Sequence, residues 1–198
     1  GIFAGRTQVV YPYGRYGWTR GGGKIWHGGL DLVGLDDTTV RMPYYKGKRI
    51  TGRVVRARIV TDRRDKTWEW GWYVCVQLDS AQTPDVVNFL YFAHCEKLLA
   101  QAGQTVTSGD ALAVMGNTGN AAGGYKHCHL EVRATAGGTG LDPTAYAGCE
   151  NAVGIYGAAA KLQTITIGPV SQGDADAVKA LCDARGLTAA GLYTSKWA

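Results

Sequence analysis

The sequence predicts a mainly β protein, an antiparallel β-sheet domain with a small C-terminal β-α-β appendage, and three observations predict it. Glycine supplies 29 of 198 residues, while 45% are hydrophobic and only 19% charged, a balance that suits many short strands joined by tight turns. Runs rich in β-branched and aromatic residues recur at 53–60, 70–78, 88–94, 111–115 and 127–133. Glycine turns separate several of them, as at Ser108-Gly109-Asp110 and Gly116-Asn117-Thr118-Gly119-Asn120, and long helical periodicities are scarce.

Taken in order, residues 7–31 interleave glycine with Tyr11, Tyr13, Tyr16, Trp18 and Trp26, which suits loops and short strands around a cleft better than a helix. The five β runs follow, with one short helix expected over 95–102. After Leu141-Asp142-Pro143 the texture changes, and the small residues of 151–160 read as a linker. The expected division is therefore a main domain over 1–150, a linker over 151–160 and an appendage over 161–198. Within the appendage, 162–167 predicts a strand that Gly168-Pro169 breaks. Residues 174–185 predict a helix with Ala177, Val178, Leu181 and Cys182 on one side; Gly186 stops it, and Leu192-Tyr193 begins a last strand. A unit of about 40 residues is too small for secure independent stability, so it packs on the main domain, pairs with another copy, or is the remnant of a larger module.

The main domain is long enough to bury a core without disulfides or metal. A net charge of +5 conceals an asymmetry: residues 1–66 hold 14 Lys/Arg against 5 Asp/Glu, and the remainder 7 against 11. Such a basic face suits a polyanion, either nucleic acid or an anionic cell-wall polymer, or simply solvates the surface; no nucleic-acid-binding module is recognised. Five cysteines without repeated C-x-x-C spacing indicate neither a disulfide framework nor a cysteine zinc site, and most read as buried free thiols. No apolar run approaches membrane-spanning length, and no basic-then-apolar leader opens the chain.

All four histidines fall into one pattern. Between Lys126 and Arg133 the odd positions are His127, His129, Glu131 and Arg133 and the even ones Cys128, Leu130 and Val132. Strand alternation thus puts both imidazoles on one face and makes Cys128 a packing residue. His27 and Asp31 flank Gly28-Gly29-Leu30, and paired glycines disfavour a helical i, i+4 arrangement. Instead, His27 is expected to end a loop and Asp31 to start a strand over 31–33, the glycines letting the backbone close around an ion. Two imidazoles and one carboxylate make a zinc set of the catalytic kind, because a fourth position stays open for water, whose pKa zinc lowers to about 7. The spare histidines then suit a general base and a donor to the oxyanion.

In this order, His27-Gly28-Gly29-Leu30-Asp31, Tyr91-Phe92-Ala93-His94, and Gly116-Asn117-Thr118-Gly119 leading to His127-Cys128-His129-Leu130-Glu131-Val132-Arg133 resemble the lysostaphin-like (LytM-type) zinc metallopeptidases of bacterial cell walls. The stretch 103–110 also looks like the turn between that family's last two motifs, and the resemblance spans residues 11–146. It implies one Zn2+ held by His27, Asp31 and His129, with His127 and His94 as unliganded catalytic histidines. It further implies an antiparallel β core with the cleft between loops. The implied activity is endopeptidase action on peptidoglycan stem or cross-bridge peptides, outside the membrane, by bacteria or by phage lysins.

Departures from the family are visible. Tyr125-Lys126 stand where a Gly-Pro step is usual, and Cys95 and Cys128 replace aliphatic residues. An insertion at 61–70, with Arg63, Arg64, Trp68 and Trp70, lengthens a hairpin near the cleft, its tryptophans either packing or forming a wall for substrate. Two rival readings stand beside the peptidase. A catalytically silent relative that binds and regulates wall hydrolases predicts ligand loss, yet all five site residues are present. A non-haem iron oxygenase also uses two histidines and a carboxylate, but His127 beside the third ligand and the matching His94 argue against it. The appendage resembles phage-lysin tails and, only faintly, the β-α-β halves of wall-binding modules, which implies targeting or self-association as against plain capping.

Overall fold

A computed structural model describes residues 1–159, 167–188, 193 and 195. Its described strands are β1 (Thr7–Val9), β2 (Gly17–Arg20), β3 (Ile25–His27), β4 (Leu30–Gly34), β5 (Thr39–Arg41), β6 (Thr51–Ile59), β7 (Trp72–Leu78), β8 (Phe89–Cys95), β9 (Lys97–Leu98), β10 (Thr105–Thr107), β11 (Ala111–Val114), β12 (Cys128–Arg133) and β13 (Gly154–Tyr156). Two α-helices join them among the described residues, α1 (Thr144–Ala147) and α2 (Gln172–Ala184). Eight strands form one sheet in the order β10-β6-β7-β8-β12-β4-β1-β13, three form a second in the order β5-β11-β9, and β2 pairs with β3. The named pairs are antiparallel throughout, as the short, turn-separated runs predict.

Alternation in β12 divides the large sheet into two faces. Cys128, Leu130 and Val132 are fully buried and join Leu30, Leu32, Leu90 and Phe92 in the main core. Val40, Leu112 and Ala113 of the small sheet close over that face, each large side chain so buried contributing roughly 1.5–3 kcal/mol. His129 and Glu131 point the other way, to the side where Tyr73, Cys75, Tyr91 and Ala93 form a second cluster. Cross-strand register then fixes the neighbours of His129, because it pairs with Asp31 of β4 on one side and with Ala93 of β8 on the other.

Three expectations need correction. No helix forms over 95–102: Leu98 pairs with Ala113, and the Leu99 and Ala100 amides both donate to the Leu112 carbonyl, so the small sheet claims the segment. Within the stretch read as a linker, Gly154–Tyr156 pairs with β1 over Thr7–Val9 and extends the large sheet. His27 closes strand β3 rather than a loop, opposite Gly17 of β2.

In the appendage the expected helix is present, starting two residues early at Gln172 with a Ser171 cap that accepts from the Asp174 amide. Gly186, at φ 72°, ends it, with the Leu187 amide donating back to the Cys182 carbonyl in the manner of a glycine-terminated helix. That end seats on the main domain, where Arg41 Nη1 donates to the Arg185 carbonyl at 2.5 Å. The strand expected at 162–167 and the one starting at Leu192-Tyr193 lie largely outside the described residues. Cys75, Cys95 and Cys128 are buried free thiols, with Cys149 and Cys182 partly buried and free. No described helix is long and apolar enough to cross a membrane.

Candidate metal centre and active site

Three segments distant in sequence meet at one point. Strand β3 delivers His27, β4 delivers Asp31 and β12 delivers His129, all three buried. The turn between β3 and β4 must be glycine at 29, because a Cβ there would strike the Leu130 carbonyl and come within 2.8 Å of His129 Nε2. The paired glycines thus let the turn lie flat on β12. His27 Nε2 lies 3.0 Å from His129 Nδ1 and 3.3 Å from Asp31 Oδ1, and His129 Nδ1 lies 3.0 Å from the same oxygen.

The outer hydrogen bonds settle which nitrogens face inward. His27 Nδ1 lies 2.8 Å from the Arg15 carbonyl, which can only accept, so the proton sits on Nδ1 and the Nε2 lone pair is free. His129 Nε2 lies 3.1 Å from Glu131 Oε2, which orients its Nδ1 toward the same point. His27 Nε2, His129 Nδ1 and an Asp31 oxygen therefore converge, a donor set that could hold a cation. A tetrahedral zinc with bonds of about 2.0–2.2 Å spaces its ligand atoms roughly 3.3–3.6 Å apart, and the donors here fit it to within a few tenths of an ångström. They also form a compact group of potential metal ligands among the described residues.

Burial works against charge on His129, but the hydrogen bonds to Asp31 and Glu131 overcome it and push its pKa up to about 9. Burial likewise opposes ionisation of Asp31, yet His129 and His27 hold its carboxyl well below the usual range. Glu131 is also buried and still lowered, by His129 and by Arg133, whose Nε donates to Oε1 at 2.7 Å. Glu131 and Arg133 thus brace the back of the His129 ring, as carboxylates commonly brace metal-binding imidazoles.

The other two histidines stand beside this group without joining it. His127 Nε2 lies 3.7 Å from Asp31 Oδ1, farther than any of the three donors lie from one another. Its Nδ1 meets the Tyr125 carbonyl at 3.0 Å, and its ring stacks on Tyr125 at 4.5 Å. His94 Nδ1 meets the Thr118 carbonyl at 2.9 Å, and the two spare rings lie 4.9 Å apart. Burial lowers both pKa values, that of His94 to about 3 with help from His129 and His127. Because carbonyls hold both Nδ1 protons, each ring offers an Nε2 lone pair, the form a proton acceptor needs. A neutral ring in this tautomer presents a lone pair at Nε2 and no N–H there.

His94 is held under backbone strain. Its φ is 63°, a rare conformation for a side chain of this size, and it sits where the β7–β8 register slips. Thr118 braces it, taking the Trp72 amide on Oγ1 and donating from there to the Cys95 carbonyl. Strain of this kind gathers at functional positions. We expect His94→Gly to be more stable than His94→Ala by about 1 kcal/mol, since only alanine is penalised at positive φ. Denaturant melts of the two variants check this, and the opposite order would remove strain from the account.

A cleft of about 420 Å3 opens beside these groups, with Tyr13, Arg20, Asp31, His94, Tyr125 and His127 among its lining. Trp68 and Trp70 are not part of that lining. Trp70 packs against Tyr73 and Tyr91 with the Arg133 guanidinium over its ring, and Arg63 lies over Trp68, so these tryptophans serve packing. Sequence reasoning missed Arg20, whose Nη2 donates to Asp31 Oδ2 at 3.1 Å. It also left Glu131 without a role, although its place on the polar face of β12, two residues from His129, was a visible signal.

Residues 27–143 match the family model described as Peptidase family M23. Among solved structures the chain is similar to the catalytic domain of the antimicrobial peptidase lysostaphin from Staphylococcus simulans, at 21% identity over 71% of this chain and 90% of that one, TM-score 0.48. A mutant catalytic domain of the prophage-encoded M23 protein EnpA from Enterococcus faecalis is 20% identical over 65% and 85%, TM-score 0.49. A zinc-containing peptidase from Vibrio cholerae is 24% identical over 63% of this chain and 31% of that one, TM-score 0.40. No curated protein matches.

Proposed function

The chain belongs to peptidase family M23, and from that premise we propose that it is a zinc-dependent endopeptidase hydrolysing peptide bonds of bacterial peptidoglycan, acting at the cell wall. The observation that carries the reading is the convergence of His27 Nε2, Asp31 Oδ1 and His129 Nδ1 within 3.0–3.3 Å of one another, with two further imidazoles at the same cleft. His27, Asp31 and His129 would hold one Zn2+. When bound, that ion supplies Lewis acidity, polarising the scissile carbonyl and making water nucleophilic near neutral pH.

The remaining chemistry belongs to the chain. His127 takes the proton of the attacking water at Nε2 and passes it to the leaving amine, a role for which its fixed tautomer leaves the lone pair available. His94 accepts a hydrogen bond at its own Nε2 and so orients the attacking water or the substrate amide. Tyr125 holds the His127 ring by stacking and through its carbonyl. Burial of the donors excludes water from all but the cleft side, which strengthens each of these contacts.

The test is zinc analysis of the purified chain together with the release of new amino groups from purified walls. We expect one zinc per chain and a steady rise in free amines that a chelator stops and added Zn2+ restores. Full zinc occupancy without new amines would favour a silent, wall-binding relative instead.

A further inference from the structure

We infer that Arg20 forms a carboxylate-binding subsite beside the metal donors, so that the chain prefers peptides with a free carboxylate next to the scissile bond over uncharged ones. The inference rests on the peptidase reading of the same cleft and adds to it the class of substrate. Arg20 ends β2, where Gly21, Gly22 and Gly23, all at positive φ, turn the chain into β3. This turn fixes the start of the side chain. Its Nε donates to the Tyr13 carbonyl at 3.2 Å and its Nη2 to Asp31 Oδ2 at 3.1 Å.

Those two bonds hold the guanidinium in one plane and leave Nη1 without an acceptor among the described residues. The side chain keeps 38% of its exposure while Asp31 keeps 2%, and Arg20 is among the residues that line the cleft. A planar, permanently charged fork with unsatisfied N–H groups is the group that recognises carboxylates. Near it, the Tyr125 hydroxyl is buried without a partner. It shares the space around Gly14 with Asp31 Oδ2: a Cβ built there would lie 3.6 Å from the hydroxyl and 3.4 Å from that oxygen.

Charge in the cleft points the same way. Arg20 and Asp31 are the charged residues of the lining, and Tyr13, Asn120 and Tyr125 are among its neutral ones. Asp31 divides its two oxygens between Arg20 and the donor cluster, and Arg20 is the Lys/Arg cation of the lining. Since Arg20 grips the oxygen of Asp31 opposite the one shared with His27 and His129, it stands roughly one or two residue lengths, at about 3.8 Å each, from the point where the donors converge. A carboxylate on the residue at or next to the cleaved bond would reach it.

The experiment uses cross-linked peptides isolated from bacterial walls, either as such or with their carboxylates converted to carboxamides. Hydrolysis is followed with the zinc-loaded chain, and binding is read separately by calorimetry, with His127→Ala wherever the wild type cleaves. We expect the free carboxylates to lower Kd and KM by at least about tenfold, the effect of a charge-assisted hydrogen bond, with kcat little changed. Arg20→Gln should abolish this preference while keeping zinc, and Arg20→Lys should retain part of it. Equal binding of both forms by the wild type overturns the inference, as does an Arg20→Gln that weakens both alike and loses zinc, which would make Arg20 a brace for Asp31 only. Carboxylate-selective binding that Arg20→Gln removes, without hydrolysis of either form, would sink the peptidase reading and leave the subsite standing.

Discussion

His129→Ala should lose metal and activity together. The ring supplies one of three donor atoms, and the two left, His27 Nε2 and Asp31 Oδ1, fall short of the three protein ligands that catalytic zinc sites use. Zinc after dialysis should drop from one per chain to near none. Turnover should fall by more than about 10⁴-fold, past the upper end of what a single proton-transfer group contributes. Unfolding is the obvious confounder, because the ring also separates two buried carboxylates, Asp31 and Glu131. Removing one partner of such a group costs about 3–5 kcal/mol, against a typical domain stability of about 5–15 kcal/mol. The variant should therefore still fold, with a lower melting temperature by circular dichroism. A folded His129→Ala that keeps its zinc would overturn the donor assignment.

The residues whose role depends on strand alternation were legible in the sequence. In β12 the polar and apolar positions divide as the two-residue period requires, and the same period predicts Cys128 as core. What alternation cannot reveal is the partner across the strand. Asp31 faces His129 only because β4 pairs with β12 in one register, and a slip of one residue would have turned it to the opposite face. Nothing local to 95–102 or to 154–156 marks a strand. Each becomes one because an open edge, β11 in the first case and β1 in the second, takes it up. Tertiary pairing overrides local propensity most easily in such short pieces.

The same limit explains the residues that were missed. Arg20 lies eleven residues before Asp31, and only the reversal at Gly21, Gly22 and Gly23 brings its guanidinium back to that carboxylate. Glu131 was visible on the right face of β12. Its bond to His129 Nε2, however, depends on the orientation of the ring, which Asp31 fixes from the far side. The positive φ of His94 has no sequence signature, because it arises from the slip between β7 and β8.

His127→Ala should keep zinc while losing about 10²–10⁴-fold in turnover, the range for a general acid–base group. His127, one residue before β12, and His129 within it fall on one face by alternation, so sequence pattern alone permits either to be the ligand, and distance separates them. His129 Nδ1 stands 3.0 Å from both His27 Nε2 and Asp31 Oδ1, whereas His127 Nε2 stands 3.7 Å from that oxygen. Its Nδ1 is committed to Tyr125 and its ring to the Tyr125 stack, contacts that aim it at the cleft and need no metal. Truncation therefore removes a proton acceptor and leaves the donor triangle whole. The loss should appear in kcat, with KM nearly unchanged, since the contact matters once the proton begins to move. The pair of variants separates what either alone leaves mixed: His129→Ala without zinc beside a zinc-loaded, inactive His127→Ala assigns ligand and base, and a metal-free His127→Ala would exchange them.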